Sequence, residues 1–390
     1  MNIDHVYRVD HLVRLGETMQ TQQRSLQELA ELFARFDISG RLIDGGPHGT
    51  GHIHDTYRVE VDADGASPSY VLQRVNRNIF KNIDHLMDNI CRVTDHIRGH
   101  LLRMNGHDPL RECLTVIRSN DDAPYIEVND EIWRLYVEIS GSRTFDRVRN
   151  VNHAYEAASM FASFATLLAD LPDPPLHETI PNFHDTPQRV AQLKGAIESD
   201  SCGRAESCRE EIDFALGLES MTDTITSGLR NGSIPMRVTH NDTKFNNVMI
   251  DDQTGKGICV LDLDTVMHGS ALYDFGDMVR SMSGEFEENE EDQSGVALDL
   301  DRYEQIVKGY LDIAHDVLVD REVELLPFSA KLITYEIGIR FLKDYLDGDV
   351  YFKIGRPHEN LDRARTQFAL VRSIIEKEDA MAAVTARHMG

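Results

Sequence analysis

The stretch from Val238 to Asp264 constrains this chain more than any other. It reads Val238-Thr239-His240-Asn241-Asp242-Thr243-Lys244-Phe245-Asn246-Asn247-Val248-Met249-Ile250, and after a short turn Ile258-Cys259-Val260-Leu261-Asp262-Leu263-Asp264. An H-x-D-x-x-x-x-N loop leads through an apolar strand to D-x-D, with Asp262 twenty residues after Asp242. Asp and Asn gather in turns for local hydrogen-bonding reasons alone. A lone HxD would carry little. Two carboxylates and a carboxamide on a loop and a strand end, at this spacing, carry much more.

That set suits phosphoryl transfer. One Asp orients the nucleophile's hydroxyl, while an Asn and a second Asp hold Mg²⁺ against the phosphates. Mg²⁺ is a hard cation that takes oxygen ligands, typically one or two carboxylates plus substrate phosphate. The candidates are Asp242 for the first role and Asn247 with Asp262 for the metal.

The upstream sequence supplies a compatible frame. Gly45-Gly46-Pro47-His48-Gly49-Thr50-Gly51 breaks the chain ahead of two strand-like segments, Thr56–Val61 and Ser69–Val75, joined by a turn at residues 62–66. Glycines let backbone N–H groups approach phosphates closely, although Gly-rich turns between strands are commonplace. No GxxxxGK[ST] element is present, so the loop is not a Walker A. Apolar spacing predicts helices over 25–36, 83–102, 152–171, 210–230, 303–317 and 327–346, and strands over 113–117, 123–128 and 131–139. The helix over 83–102 is expected to pack on the first sheet.

A β-rich first part gives way to a helix-rich second part. The expected class is therefore α+β, with two lobes, 1–140 and 141–390. Gly-rich hairpin, strand, helix, strand pair, helices, catalytic loop and metal Asp follow one another in the order of a protein-kinase-like fold.

Charge and cysteine content narrow the partners. Lys plus Arg make 40 and Asp plus Glu 66, a net charge of −26. Such acidity argues against nucleic acid and against an anionic membrane surface. The acidic run Glu285–Asp292 is expected to be a solvated loop. Five cysteines, with no CxxC pair, are expected as reduced thiols packed like small apolar groups. No apolar run reaches the ~18 residues of a membrane helix, and the first eight residues lack the apolar core of a signal peptide. The expectation is a soluble, cytoplasmic monomer.

His240–Asn247 and Leu261–Asp264 resemble the catalytic and metal-binding motifs of the aminoglycoside phosphotransferase family, small-molecule kinases with the protein-kinase-like fold. Further blocks extend the likeness over about residues 40–370, among them Gly51-His52-Ile53, Phe183-His184-Asp185-Thr186-Pro187, Tyr273–Asp277 and Arg340–Phe352. They resemble the branch of that family whose acceptors are N-acetylhexosamines. The resemblance implies ATP and Mg²⁺ as cofactors, a sugar and a nucleotide as partners, and transfer to the anomeric hydroxyl.

Residue by residue, it implies Asp242 as base, Asn247 and Asp262 on Mg²⁺, and Asp274 with His240 as supports of the loop. Gly49, Gly51 and Gln73 would lie at the nucleotide. The hinge would bring backbone of Tyr136, Val137 and Ile139 to the adenine. His52, Arg340 and Tyr351 would meet the sugar. Asp264 would face the substrate or stand behind Asp262. Trp133 is expected in the core of the first lobe.

One departure stands out. Gln73 lies where kinases carry the phosphate-binding Lys, and strand alternation turns Arg74 to the other face. The helix over 83–102 has no Glu to complete a Lys–Glu pair, only Asp84, Asp88 and Asp95. Two other readings stay open: a kinase for another hydroxyl acceptor (aminoglycoside, choline-like or homoserine-like), and a nucleotide- or sugar-binding protein without catalysis.

Overall fold

In the computed structural model, residues 24–49, 53–63, 65 and 67–389 are described. Gly51 and His52, both implicated above, lie outside the described residues. The chain divides into two compact units: residues up to 76 together with 116–138, and residues 77–115 together with 139–390.

The first unit is built on one antiparallel sheet. Its elements are α1 (Leu26–Phe33), β1 (Arg41–Pro47), β2 (Asp55–Asp62) and β3 (Ser69–Val75), then β4 (Val116–Ile117), β5 (Ile126–Val128) and β6 (Glu131–Val137). The sheet order is β1-β2-β3-β6-β4, with β5 also on β6. Period-two alternation gives this sheet two different faces. Tyr57, Val59, Leu72, Trp133 and Leu135 point to the side where α1 packs Leu29, Leu32 and Phe33. Trp133 is fully buried there, its ring 5.9 Å from that of Tyr57. Ser25 caps α1 in a reciprocal capping box with Glu28. Thr56, Gln73 and Arg134 lie in register on the opposite face.

The second unit is largely helical. In chain order it comprises α2 (Ile83–Leu101), α3 (Pro109–Glu112), β7 (Ser142–Arg143), α4 (Val151–Leu167), α5 (Thr186–Ser199), α6 (Arg209–Gly217) and α7 (Asp223–Asn231). There follow β8 (Arg237–Thr239), β9 (Val248–Asp251), β10 (Gly257–Val260), β11 (Met267–Gly269), α8 (Ala271–Met282), α9 (Leu300–Ala314), α10 (Asp320–Asp347) and α11 (Glu359–Arg387). α10 is the spine: Tyr335, Ile339, Leu342 and Leu346 share a core with Val190 and Leu193 of α5, Ile212 of α6 and Phe368 of α11. Gly276 lets α8 cross α10, since a Cβ there would sit 2.4 Å from the Ser329 carbonyl oxygen.

Several expectations need correction. α2 groups with the second unit rather than with the sheet. Its buried Asn89 explains why, donating to the carbonyls of His177 (2.8 Å) and Val266 (3.0 Å) and accepting from the His177 N–H. The helix expected over 210–230 is two helices, α6 and α7, with a 3₁₀ turn at Glu219–Met221 between them. The strand expected over 113–117 is reduced to Val116–Ile117. The acidic run is an exposed loop, but a tied one: Glu285 pairs with Arg302, Glu288 with Arg280 and Glu291 with Arg356.

All five cysteines are free, and Cys113, Cys208 and Cys259 are buried, but Cys202 is exposed rather than packed. Burial pushes the Cys113 and Cys208 thiols up to about 11. No helix among the described residues is long and apolar enough to cross a membrane.

Candidate active site

The catalytic-loop motif lies between β8 and β9, and Asp262 lies two residues beyond the end of β10. β8 pairs with β11 and β9 with β10, so the short strands fix both ends of the loop. Asp274, near the start of α8, ties the loop from inside. Its Oδ2 accepts the His240 N–H at 2.9 Å and its Oδ1 the Asn241 N–H at 2.7 Å. The Thr243 hydroxyl donates to the Asp274 carbonyl at 2.6 Å. Asp274 is only 4% exposed, and burial pushes its carboxyl up from 3.8 to about 6 despite the His240 and Asn241 backbone donors.

His240 links the loop to the metal-side strand. Its Nε2 donates to the Leu261 carbonyl at 2.8 Å, and its Nδ1 accepts the Asp242 N–H at 3.3 Å. The Leu261 N–H in turn donates to the Asn247 carbonyl at 2.8 Å. Asn247 and Asp262 are thereby joined through one residue of backbone. Asn241 (φ 66°) and Asp262 (φ 56°) both hold left-handed backbone. Asn and Asp are the side-chain-bearing residues that tolerate it best, and such backbone gathers where a site over-determines it.

The Asp242 carboxylate is held through one oxygen. Oδ2 meets the Lys244 Nζ at 3.1 Å and the Asn247 Nδ2 at 3.3 Å. Asn247 Nδ2 also donates to the Asp242 carbonyl at 2.9 Å. Burial works to raise the Asp242 carboxyl, but the Lys244 ammonium outweighs it and holds it below the usual carboxylate range. Lys244 is raised, by Asp242 first and by Asp262, Glu288 and Asp277 further out, against the cost of burial. With its Nδ2 committed to Asp242, Asn247 has its carbonyl Oδ1 left as an oxygen donor. With the Asp262 carboxylate, that makes a hard-oxygen set of the kind Mg²⁺ takes.

A second cluster stands behind Asn241. His184 Nε2 donates to the Asn241 carbonyl at 3.2 Å, and its Nδ1 donates to Glu336 at 2.8 Å. The Thr186 hydroxyl also donates to Glu336, at 2.6 Å. Glu336 has no exposed surface. Burial raises its carboxyl, and His184 outweighs that and lowers it. One helical turn on, the Arg340 guanidinium lies over the rings of Phe183 (5.3 Å) and Phe352 (5.8 Å). Asp344 accepts the N–H groups of Val350, Tyr351 and Phe352 and so fixes the segment after α10. Tyr351 is 53% exposed, and its ring packs edge-on against Phe352. Asp264 is buried, its carbonyl taking the Thr179 hydroxyl at 3.0 Å. The structure thus gathers Arg340, Tyr351, His184 and Glu336 behind the loop that carries Asp242. Glu336 was not anticipated; nothing in a helix sequence marks a Glu as the partner of a His about 150 residues away.

The other described residues expected at the nucleotide belong to the first unit, except Ile139. Gly49 follows β1 with φ 75°. Tyr136 and Val137 end β6. Ile139 belongs to the second unit, and its carbonyl accepts the Ser142 hydroxyl at 2.8 Å. Gln73 sits mid-strand, and its side-chain oxygen accepts both Nε (2.8 Å) and Nη2 (2.6 Å) of Arg134. Its amide nitrogen, Nε2, donates to the Thr56 hydroxyl at 3.0 Å. Arg74 points the other way, to Asp55 and Glu131. Arg134, only 2% exposed, was missed in the sequence. The available signal was an Arg inside the apolar strand Ile132-Trp133-Arg134-Leu135-Tyr136-Val137, facing Gln73 across the sheet.

Comparison with known proteins agrees with this arrangement. The model of the phosphotransferase enzyme family, APH, matches residues 44–306, and the chain belongs to that family. Its fold is accordingly the protein-kinase-like one of that family. A microcompartment-associated aminopropanol kinase is similar at 12% identity and TM-score 0.54, over 92% of this chain and 99% of that one. A choline kinase from Cryptosporidium parvum Iowa II is similar at 11% identity and TM-score 0.56, over 91% and 96%. A spectinomycin phosphotransferase in its AMP-bound complex gives 12% identity and TM-score 0.57, over 89% and 97%. At such identities the likeness establishes the fold, not the acceptor.

Proposed function

We propose that this protein is an ATP- and Mg²⁺-dependent kinase that phosphorylates the anomeric hydroxyl of N-acetylhexosamines. The observation that carries the reading is the clamped loop: Asp242, Asn247 and Asp262 tied together by His240, Leu261 and Asp274. Asp242 positions the acceptor hydroxyl and takes its proton as the phosphoryl group arrives. Its Lys244 contact keeps the carboxylate ionised and ready to accept. Asn247 and Asp262 would hold Mg²⁺, which supplies charge neutralisation of the phosphates. The rest is positioning, the dominant contribution in this chemistry.

The usual Lys on β3 is replaced here by Gln73, and we assign its phosphate-binding role to Arg134. Gln73 holds the guanidinium by two bonds to one oxygen, so the cation is oriented before nucleotide arrives. A guanidinium offers a fork of donors suited to phosphate oxygens.

The acceptor assignment is supported by the cluster around Arg340. A guanidinium between two phenyl rings and a neighbouring tyrosine offers donors beside flat apolar faces, which suits a sugar ring with its acetamido group. Arg189 lies near enough for Arg340 to depress it further after burial does so. The Glu336 and Asp185 carboxylates act against these two guanidinium groups, so the neutral-sugar reading rests on the donors and ring faces around Arg340. The test is ADP release with ATP, Mg²⁺ and a panel of free sugars, amine alcohols and homoserine. N-acetylhexosamines are expected to be the acceptors, and Arg340→Ala to raise KM for the sugar while leaving that for ATP unchanged. Release with an amine alcohol alone would keep the kinase and overturn the sugar assignment.

A further inference from the structure

A cluster away from the loop has the makings of a second, different metal site. One polar face of α2 carries Asp88, Arg92, His96 and His100 at helical spacing. Along it the helix is joined to the segment that follows α4. Asp88 pairs with His177 at 3.2 Å, and Arg92 donates to the Pro172 carbonyl at 2.9 Å. At the far end the joint changes character. The Nε2 atoms of His96 and His100 both converge on Oδ1 of Asp170, at 2.9 and 3.1 Å. The three donor atoms all lie within 4.8 Å of one another.

We propose that His96, His100 and Asp170 form a binding site for a divalent transition metal of the zinc class. Two His at i and i+4 on one helix face present their ring nitrogens to a single ion. Zn²⁺ takes His nitrogen at about 2.0–2.1 Å and carboxylate oxygen at about 2.0–2.2 Å in tetrahedral array. Neighbouring ligand atoms then stand roughly 3.3 Å apart. The observed nitrogen–oxygen separations of 2.9 and 3.1 Å are a few tenths shorter, and the two nitrogens lie within 4.8 Å of each other, differences that side-chain rotations close. In the metal-free form the two Nε2–H groups share one carboxylate oxygen. Moving each proton to Nδ1 turns the same two nitrogens into lone-pair donors without moving the helix. The imidazoles are partly shielded, with 17% and 24% of their side-chain surface exposed, while Asp170 is 69% exposed. The fourth position is therefore open to water.

Donor type separates this site from the one proposed for Mg²⁺. Imidazole nitrogen selects zinc, nickel or copper, whereas the carboxylate and carboxamide oxygens of Asp262 and Asn247 suit magnesium. A bound ion would replace two hydrogen bonds with three coordinate bonds and lock α2 to the turn after α4.

The test uses tag-free, full-length protein titrated with Zn²⁺ against a chromophoric chelator, and separately with Co²⁺ followed by visible absorption. One equivalent of Zn²⁺ should bind, and Co²⁺ should give the intense bands of a four-coordinate site. Second-sphere changes alone cost 10–100-fold in metal affinity, so His100→Gln, which removes a ligand, should cost at least about tenfold. His96→Gln/His100→Gln should abolish the stoichiometric equivalent, with unchanged circular dichroism showing that both variants fold. Hydrogen exchange of residues 167–173 should slow on Zn²⁺ addition in the wild type only. Absence of saturable binding, or binding unchanged in the double variant, would overturn the proposal. None of these readouts depends on kinase activity.

Discussion

Replacing Asp274 with Asn separates what the buried carboxylate does for the loop from what it costs the fold. In the folded protein its carboxyl sits at about 6 against an ordinary 3.8, chiefly through burial. At about 1.36 kcal/mol per unit, keeping it ionised at pH 7.5 costs roughly 3 kcal/mol. Asn removes that cost. It also puts an NH₂ group against either the His240 or the Asn241 N–H, and one unmet buried donor costs about 1–3 kcal/mol. The two effects oppose each other, so stability at pH 7.5 should stay within about 2 kcal/mol of wild type.

The pH dependence has a definite sign. A carboxyl raised on folding binds more protons in the folded state, so its contribution to stability falls as pH rises from about 4 through 6. Between pH 5 and 7.5, wild type should therefore lose roughly 1.4 kcal/mol relative to Asp274→Asn. Urea unfolding at both pH values reads this difference. Turnover should fall by about a hundredfold, because the loop carrying Asp242 has lost an anchor. A variant destabilised by more than about 4 kcal/mol at pH 7.5, or one with wild-type turnover, would refute the reasoning.

Three other outcomes are expected. Asp242→Asn should fold normally by circular dichroism and lose turnover by roughly 10²–10⁴-fold, the usual contribution of a positioned base. Arg134→Met should raise KM for ATP at least about tenfold in steady-state assays, and Gln73→Lys added to it should recover part of the loss; no change in the single variant would remove Arg134 from the nucleotide site. Gly276→Ala should destabilise by about 1–3 kcal/mol in urea unfolding, since its Cβ meets the Ser329 backbone 2.4 Å away and neither helix can yield easily.

Much of the frame was legible because it rests on local patterns. β2 and β3 alternate, α2 carries a clear apolar stripe, and Ser69–Val75 was read to the residue. The C-terminal third reads as mostly helical, but the sequence did not delimit α8 or α11. α8 is buried almost all round, so no stripe distinguishes it from loop. α11 does carry a buried stripe at helical spacing, Leu361, Ala364, Phe368, Val371, Ile374, Met381 and Val384. The placement of α2 turned on Asn89, whose partners, His177 and Val266, lie far along the chain.

The site divides in the same way. Asp242, Asn247 and Asp262 stood out because their chemistry and spacing lie within one short stretch. His184 with Glu336, and Gln73 with Arg134, exist as pairs only once helix and sheet bring them together. Gln73 read as a missing cation, because the cation belongs to the neighbouring strand.

The central claim is phosphoryl transfer to an anomeric hydroxyl at Asp242, and ³¹P NMR of the product tests it most directly. Protein incubated with ATP, Mg²⁺ and N-acetylglucosamine or N-acetylgalactosamine should yield ADP and a sugar phosphate coupled to the anomeric proton. Asp242→Asn, folded but nearly inactive, should leave that signal missing on the same timescale. A phosphate ester on another hydroxyl, or ADP formed with neither sugar while another acceptor is turned over, would contradict the account.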